Sequence, residues 1–291
     1  MTLPEIILTV AASLAGACVL LFLLWLFLVA PRRTREKMEK YKSVRFAHRG
    51  LHGEGAVENS LTAFSRACDA GFGIELDVRL SSDGELVVFH DATLARVCGR
   101  DEKVVDLTAD ELKKIPLGST EDCIPTFREV LSLVAGRVPL LVEIKKDVGE
   151  GAVAERFLSE IADYDGEYIA ESFNPFALRT VRRARPDILL GILSTEYTRN
   201  EKCKGKIFYR QLERLRMNFL CRPDFIAYDK EGWRVTALRL IRRLFKVPTL
   251  AWTVKSEDEE RLARSCGFDS VIFEKYMPNN KQMFTKNENE I

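Results

Sequence analysis

Two of the chain's three histidines stand beside other ionisable residues at the ends of short apolar runs, in Phe46-Ala47-His48-Arg49-Gly50 and Val88-Phe89-His90-Asp91. Two further runs, Glu75-Leu76-Asp77-Val78 and Val142-Glu143-Ile144-Lys145, place charged side chains at alternate positions. Residues two apart on a strand share a face, so Glu75 and Asp77 point one way together, as do Glu143 and Lys145. Carboxylates gathered on one inward surface repel and lose solvation unless a cation joins them. A donor set of Glu75, Asp77 and Glu143, without thiols or extra imidazoles, favours Mg2+ or Ca2+ over zinc. Beside such an ion, His48 and His90 suit proton transfer at phosphorus, one taking a proton from the attacking oxygen and the other giving one to the leaving alkoxide. Arg49 and Lys145 would stabilise the phosphoryl oxygens as negative charge builds.

Each residue alone has a plainer explanation, since a strand-end Glu can pair with a lysine and a lone His is more often structural. Four separate strand ends supplying His-Arg, Glu-x-Asp, His-Asp and Glu-x-Lys argue for one shared site. The third histidine, His52, lies in a Gly-rich loop and is expected to be a solvated loop residue.

The elements that must position these groups alternate regularly after Ser43. Strands are expected at Val44–His48, Gly73–Val78, Leu86–His90, Pro139–Ile144, Tyr168–Phe173, Ile188–Leu193, Phe225–Asp229, Thr249–Val254 and Ser270–Phe273. Amphipathic helices are expected at Ser60–Ala70, Thr126–Ala135, Val153–Ala162, Pro175–Ala184, Thr236–Phe245 and Asp258–Cys266. Strict alternation over about 230 residues predicts an α/β fold, a (β/α)8 TIM barrel whose active groups come from the C-terminal strand ends. The competing architecture is an open doubly wound sheet, but no GxGxxG or Walker pattern follows the first strand. The turn at Asp83-Gly84 marks an extended excursion, and the charged, irregular stretch 91–123 reads as a small insertion after the second strand, with a short helix at Ala109–Ile115. The catalytic domain is assigned to 44–280 and the polar C-terminal tail to 281–291.

From Ile6 to Ala30 the chain is apolar except for Thr9 and Ser13, long enough at about 1.5 Å per residue to cross a hydrocarbon core of about 30 Å. Residues 1–31 are therefore expected to be one N-terminal transmembrane anchor. No Lys or Arg precedes the run and it continues well past any cleavage point, unlike a signal peptide; Ala15-Gly16-Ala17-Cys18 only faintly outlines a lipoprotein processing site. The basic juxtamembrane segment 32–43 then predicts a catalytic domain on the cytoplasmic side, by the positive-inside rule. The same segment could also draw the domain to anionic headgroups at about 1 kcal/mol per Lys or Arg. A formal charge of +1, from 44 basic and 43 acidic residues, gives no global field for nucleic acid. Seven cysteines without a CxxC pair fit neither zinc ligation nor a complete disulfide framework.

At these residues the sequence closely resembles the glycerophosphodiester phosphodiesterase family, a (β/α)8 barrel with a small insertion after its second strand. The resemblance spans nearly the whole soluble part. It is most specific from Ala47-His48-Arg49-Gly50 through Glu58-Asn59-Ser60, Glu75-Leu76-Asp77-Val78 and Asp83-Gly84 to His90-Asp91, and continues at Ile124-Pro125-Thr126-Phe127, Ser172-Phe173 and Trp252-Thr253-Val254. It implies His48 and His90 as the acid/base pair, Glu75, Asp77 and Glu143 as ligands to a divalent cation, and Arg49 and Lys145 as phosphate-binding cations. It also implies that Phe173 and Trp252 flank the pocket, although ordinary barrel packing would account for them equally. The reaction implied is hydrolysis of glycerophosphodiesters to glycerol 3-phosphate and an alcohol. Three departures lie on the rim: the longer loop Leu51–Val57, Phe273-Glu274-Lys275 where the family has Thr-Asp, and Arg96-Val97-Cys98 in the insertion.

The expected partners are a glycerophosphodiester or a lysolipid, the latter by lysophospholipase D-type cleavage, and the bilayer through the N-terminal helix; no protein partner is predicted. Attack by a neighbouring substrate hydroxyl, giving a cyclic phosphate, is the other chemical route. From a different class, a catalytically silent membrane-tethered phosphodiester-binding protein would keep the same barrel.

Overall fold

The computed structural model describes residues 2–146 and 151–278. The strands are β1 (Arg45–Ala47), β2 (Gly73–Leu80), β3 (Leu86–Val88), β4 (Leu140–Ile144), β5 (Tyr168–Ser172), β6 (Leu190–Ser194), β7 (Phe225–Asp229), β8 (Thr249–Val254) and β9 (Ser270–Phe273). All but β3 pair in parallel, in the order β1-β9-β8-β7-β6-β5-β4-β2, and β1 also pairs with β2, closing an eight-stranded barrel. The open-sheet alternative is thereby excluded. β3 runs antiparallel to β2 and lies outside the barrel.

The longer helices are α1 (Leu3–Val29), α3 (Leu61–Asp69), α6 (Phe127–Val134), α7 (Ala152–Glu160), α8 (Pro175–Ala184), α9 (Ile207–Glu213), α10 (Thr236–Phe245) and α11 (Glu257–Ser265). Single-turn helices α2 (Arg35–Met38), α4 (Ala95–Cys98) and α5 (Ala109–Leu112) fall between them. Local chemistry explains several starts. Thr126 accepts from Glu129 N while the Glu129 side chain accepts from Thr126 N, a capping box that begins α6, and Ser60 caps α3 by accepting from Ala63 N.

Alternation along the strands divides the interior in two. On β2, Ile74, Leu76 and Val78 face outward into the layer between strands and helices, which leaves Glu75 and Asp77 facing in. Below those acids the barrel is filled by Phe46, Leu141, Ile169, Phe225, Leu250 and Ile272. Met38 and Tyr41 belong to this same buried floor, so the basic segment 32–43 is packed into the strand-start end of the barrel. Arg32 N donates to Pro223 O, Thr34 Oγ1 to Asp224, and Tyr41 OH to Glu167, each acceptor lying just before a strand.

Residues 91–123 form a rim layer with their own apolar cluster, including Leu94, Val104, Leu112 and Ile115 beneath Val87 and Phe89 of the β3 excursion. α1 is long and apolar enough to cross a membrane and begins three residues before the apolar run expected from Ile6. α9 and the two short helices α2 and α4 were not expected from the sequence. The C-terminal tail 281–291 lies outside the described residues.

Candidate functional site

The strand register assembles the acidic cluster. Asp77 on β2 is paired with Glu143 on β4, and Glu143 with Glu171 on β5, so three carboxylates form a level row across adjacent strands. Glu75 lies two residues below Asp77 on the same face. All four are buried, and Glu75, Asp77 and Glu143 each present an oxygen within 4.8 Å of the others. That span is about twice a Ca–O bond of about 2.4 Å, so the three could surround one hard cation. Fit is therefore met by chemistry and by spacing.

Lys145 Nζ lies 2.7 Å from Asp77 Oδ1 and 2.6 Å from Glu143 Oε1, an ammonium spanning two of these acids. Asp77 Oδ2 also accepts from Asn59 Nδ2 at 2.8 Å, and Glu75 Oε2 from Arg49 N at 2.8 Å. Burial and the neighbouring Asp77 and Glu143 push the Glu75 carboxyl well above its ordinary range. Burial acts the same way on Asp77, but Lys145, His90 and Arg49 outweigh it and hold that carboxyl low. Glu143 is raised by burial, with Lys145 opposing. The site thus has fewer cations than buried acids, a deficit a divalent ion would fill.

The two imidazoles are each held on one side by a carboxylate. His48 follows β1, donates its backbone N–H to Phe273 O, and has Nδ1 2.8 Å from Glu274 Oε2. Gly50, two residues on at φ 81°, allows the turn: a Cβ there would stand 2.9 Å from the Ala63 side chain. His90 Nδ1 is 2.6 Å from Asp91 Oδ1, and its carbonyl accepts from Arg79 Nε and Nη2. Burial lowers both imidazole pKa values from 6.5; Glu274 opposes this at His48, and Asp77 at His90.

Rim residues complete the frame. Glu58 accepts from Arg49 Nη1 at 2.7 Å and from both terminal nitrogens of Arg96, whose Nε also pairs with Asp91. The insertion therefore reaches both histidine loops through one guanidinium. Phe173 and Trp252 meet edge to face at 5.5 Å above the floor cluster.

The nine residues singled out in the sequence thus divide plainly: Glu75, Asp77, Glu143, Lys145 and Arg49 are linked in one network of contacts, His48 and His90 stand on flanking loops, and Phe173 and Trp252 pair with each other. His52 departs from expectation, being partly buried with Nε2 3.8 Å from Glu274. With His48 and Glu274 it makes a second set of ligating atoms at metal-binding spacing, but Lys255 Nζ already pairs with Glu274 at 2.9 Å, which suits holding a ring better than holding an ion. Glu171, Glu274 and Arg96 were missed as site residues.

The model of the glycerophosphoryl diester phosphodiesterase family matches residues 48–276. The chain belongs to this family. With membership comes the enzyme class, a phosphoric diester hydrolase on a TIM barrel. Among its relatives, the glycerophosphodiester phosphodiesterase of Caldanaerobacter subterraneus subsp. tengcongensis is 36% identical over 163 residues, covering 52% of this chain and 67% of that one. Glycerophosphodiester phosphodiesterase 1 of Rattus norvegicus is 24% identical over 304 residues, covering 89% and 88%. The solved glycerophosphodiester phosphodiesterase of Thermotoga maritima superposes with a TM-score of 0.62 at 29% identity, over 79% of this chain and 94% of that one. An Oleispira antarctica phosphodiesterase, solved with sn-glycerol-3-phosphate, shares the fold with a TM-score of 0.67 at 24% identity, over 80% and 94%.

Proposed function

We propose that this family member hydrolyses glycerophosphodiesters to glycerol 3-phosphate and an alcohol, using His48 and His90 as the acid/base pair beside a divalent cation held by Glu75, Asp77 and Glu143. The observation that carries the reading is the row of buried carboxylates on adjacent strands, flanked by two imidazoles each braced at Nδ1 by an acid. Bracing at Nδ1 leaves Nε2 of each ring for proton transfer.

When bound, Mg2+ or Ca2+ would neutralise the carboxylates and supply positive charge to the phosphoryl group. The protein's own residues do the rest. One imidazole takes the proton from the attacking oxygen as its bond to phosphorus forms, and the other, as imidazolium, protonates the alkoxide as the opposite P–O bond breaks. Arg49 and Lys145 hold the phosphoryl oxygens, Lys145 exchanging its contacts with Asp77 and Glu143 for the substrate once a cation joins those acids. Phe173 and Trp252 wall the pocket, and Trp252 Nε1, without an acceptor among the described residues, is left to donate to substrate.

In this reading residues 1–31 anchor the chain, 44–280 form the catalytic domain with 91–123 inserted, and the domain lies on the cytoplasmic side, supported by the basic residues that follow the apolar run. The test is a panel of glycerophosphodiesters and lysolipids assayed with Mg2+, Ca2+ and chelator. Turnover that chelator abolishes and a cation restores supports the reading; binding of a glycerophosphodiester without turnover would instead make this a silent binding protein.

A further inference from the structure

The contacts of α1 fix which end of the barrel its apolar length passes. At its C-terminal end Asn218 Nδ2 donates to Val29 O and Arg222 Nη1 to Ala30 O, while Arg32 N reaches Pro223 O just before β7. This is the strand-start end. One turn earlier, Trp25 shares a cleft with Glu196, just after β6, and with Val235 and Thr236, where α10 begins. Those residues follow strand ends, so α1 traced back from Val29 runs up the barrel wall toward the mouth. Leu3–Leu24, about 33 Å of helix at 1.5 Å per residue, then projects on the mouth side.

The loop after β6 rises on that same side. Within it Ile207 is 75% exposed and Phe208 47%, large apolar side chains held in water by a single-domain protein. In the same segment stand five cations, Arg199, Lys202, Lys204, Lys206 and Arg210, against two acids, Glu196 and Glu201, which pair with Arg199 and Lys204; Lys202, Lys206 and Arg210 have no carboxylate partner among the described residues. Apolar tips ringed by cations match a bilayer interface carrying anionic headgroups. From the tip, aromatic rings lead inward: Phe208 to Tyr209 at 5.8 Å, Tyr209 to Tyr197 at 5.5 Å, Tyr197 to Phe173 at 6.4 Å, and Phe173 to Trp252 at 5.5 Å.

We propose that residues 195–212 lie in the headgroup layer with Ile207 and Phe208 inserted, so that the barrel mouth opens onto an anionic bilayer and admits single-chain lysophospholipids along the aromatic path. This rests on the phosphodiesterase reading of the site and on α1 crossing the membrane. The basic floor of the barrel, near Arg35, Arg242 and Lys246, then faces away from the bilayer.

The test uses the full chain reconstituted in vesicles of phosphatidylcholine and phosphatidylglycerol brominated on their acyl chains. Phe208→Trp should add fluorescence that brominated lipid quenches, whereas Leu244→Trp, exposed on the last turn of α10 at the floor end, should add fluorescence that it does not. The reverse pattern, or an unquenched tryptophan at 208, overturns the proposal. In unbrominated vesicles, the double variant Ile207→Glu/Phe208→Glu should cut the rate on bilayer-embedded lysophosphatidylcholine at least tenfold and leave that on soluble glycerophosphocholine within twofold. Equal loss on both, or none on either, also overturns it. A wild-type chain inactive on glycerophosphocholine would instead sink the phosphodiesterase reading, while the quenching pattern still decides the surface.

Discussion

His48 Nδ1 lies 2.8 Å from Glu274 Oε2, so the neutral ring gives its Nδ1 proton to that carboxylate and keeps its lone pair on Nε2. Glu274 is held well below the usual carboxylate range by its contacts with His48, His52 and Lys255, so it stays ionised wherever the enzyme works.

The first prediction follows from that pair. Burial depresses the His48 pKa below 6.5 and Glu274 offsets part of the fall. With His48 as the base, the acid limb of kcat/KM should centre below 6.5, and as the acid, the alkaline limb should; in either role Glu274→Gln should move that limb lower still while reducing kcat about 10- to 100-fold through loss of ring orientation. The same depression means the unfolded chain binds the proton more readily. Its contribution to stability is complete above pH 6.5 and is lost as pH falls from 6.5 through the folded value. A Glu274→Gln profile displaced to higher pH would contradict this pairing.

Metal removal gives the second. Burial raises the Glu75 and Glu143 carboxyls, so protons compete with a cation for this site. Affinity for Mg2+ or Ca2+ should weaken as pH falls toward 5, with proton release seen as a buffer-dependent enthalpy in titration calorimetry. At about 100-fold excess over Kd, the cation should stabilise the fold by about 2.7 kcal/mol. Glu75→Gln should abolish that gain without lowering the Tm of the metal-free protein, because the amide replaces a carboxyl whose charge burial and the neighbouring Asp77 and Glu143 disfavour. An unchanged cation-induced shift in this variant would remove Glu75 from the ligand set.

Glu171 shows how much of the site was legible and why the rest was not. The alternation of apolar and charged residues in β2 and β4 exposed Glu75, Asp77, Glu143 and Lys145 to sequence reasoning, because each segment carried two charges on one face. Glu171 stands alone among Tyr168–Ser172, and only the lateral register with Glu143 gives it a place in the row. Glu274 was visible merely as a change of residue after the last strand, and Arg96 as an insertion residue; their contacts cross 226 and 38 positions of chain. Element order was legible from periodicity, whereas the seven-residue α9 lacked the length to declare a period. The segment 32–43 was read through its charges, but its structural weight lies in Met38 and Tyr41.

Glu171 also yields a prediction. Its Oε2 is buried without a hydrogen-bond partner among the described residues, and burial with Glu75 and Glu143 nearby raises its carboxyl well above the ordinary range. A protonated Glu171 is nearly isosteric with glutamine. Glu171→Gln should therefore preserve folding and leave cation affinity at pH 7 within about tenfold, in contrast to Glu75→Gln. Loss of cation binding equal to that of Glu75→Gln would promote Glu171 to a ligand.

Arg96 provides a test of the rim. Its guanidinium joins Glu58 to Asp91, and through them the Arg49 and His90 loops. As a half-exposed residue it adds little to global stability. Arg96→Ala should leave Tm within about 2 °C yet lower kcat/KM roughly tenfold, with Arg96→Lys recovering only part because lysine cannot fork between two acids. Full recovery by lysine would reduce its role to charge alone.

The floor of the barrel should separate folding from chemistry. Met38 is 1% exposed and Tyr41 2%, and both fill the strand-start end beneath Phe46 and Leu141, opposite the mouth where the carboxylates converge. Met38→Ala should leave a cavity there and cost about 2–5 kcal/mol. Because the acids, imidazoles and Lys145 are fixed by strands above that level, kcat/KM at a temperature well below Tm should stay within about twofold of wild type. Tyr41→Phe, which keeps the ring but gives up the 2.6 Å bond to Glu167, should cost only about 1 kcal/mol. Thermal unfolding of both variants beside their kinetics checks the division; a Met38→Ala protein as stable as wild type would mean that this segment is a tether and not the floor.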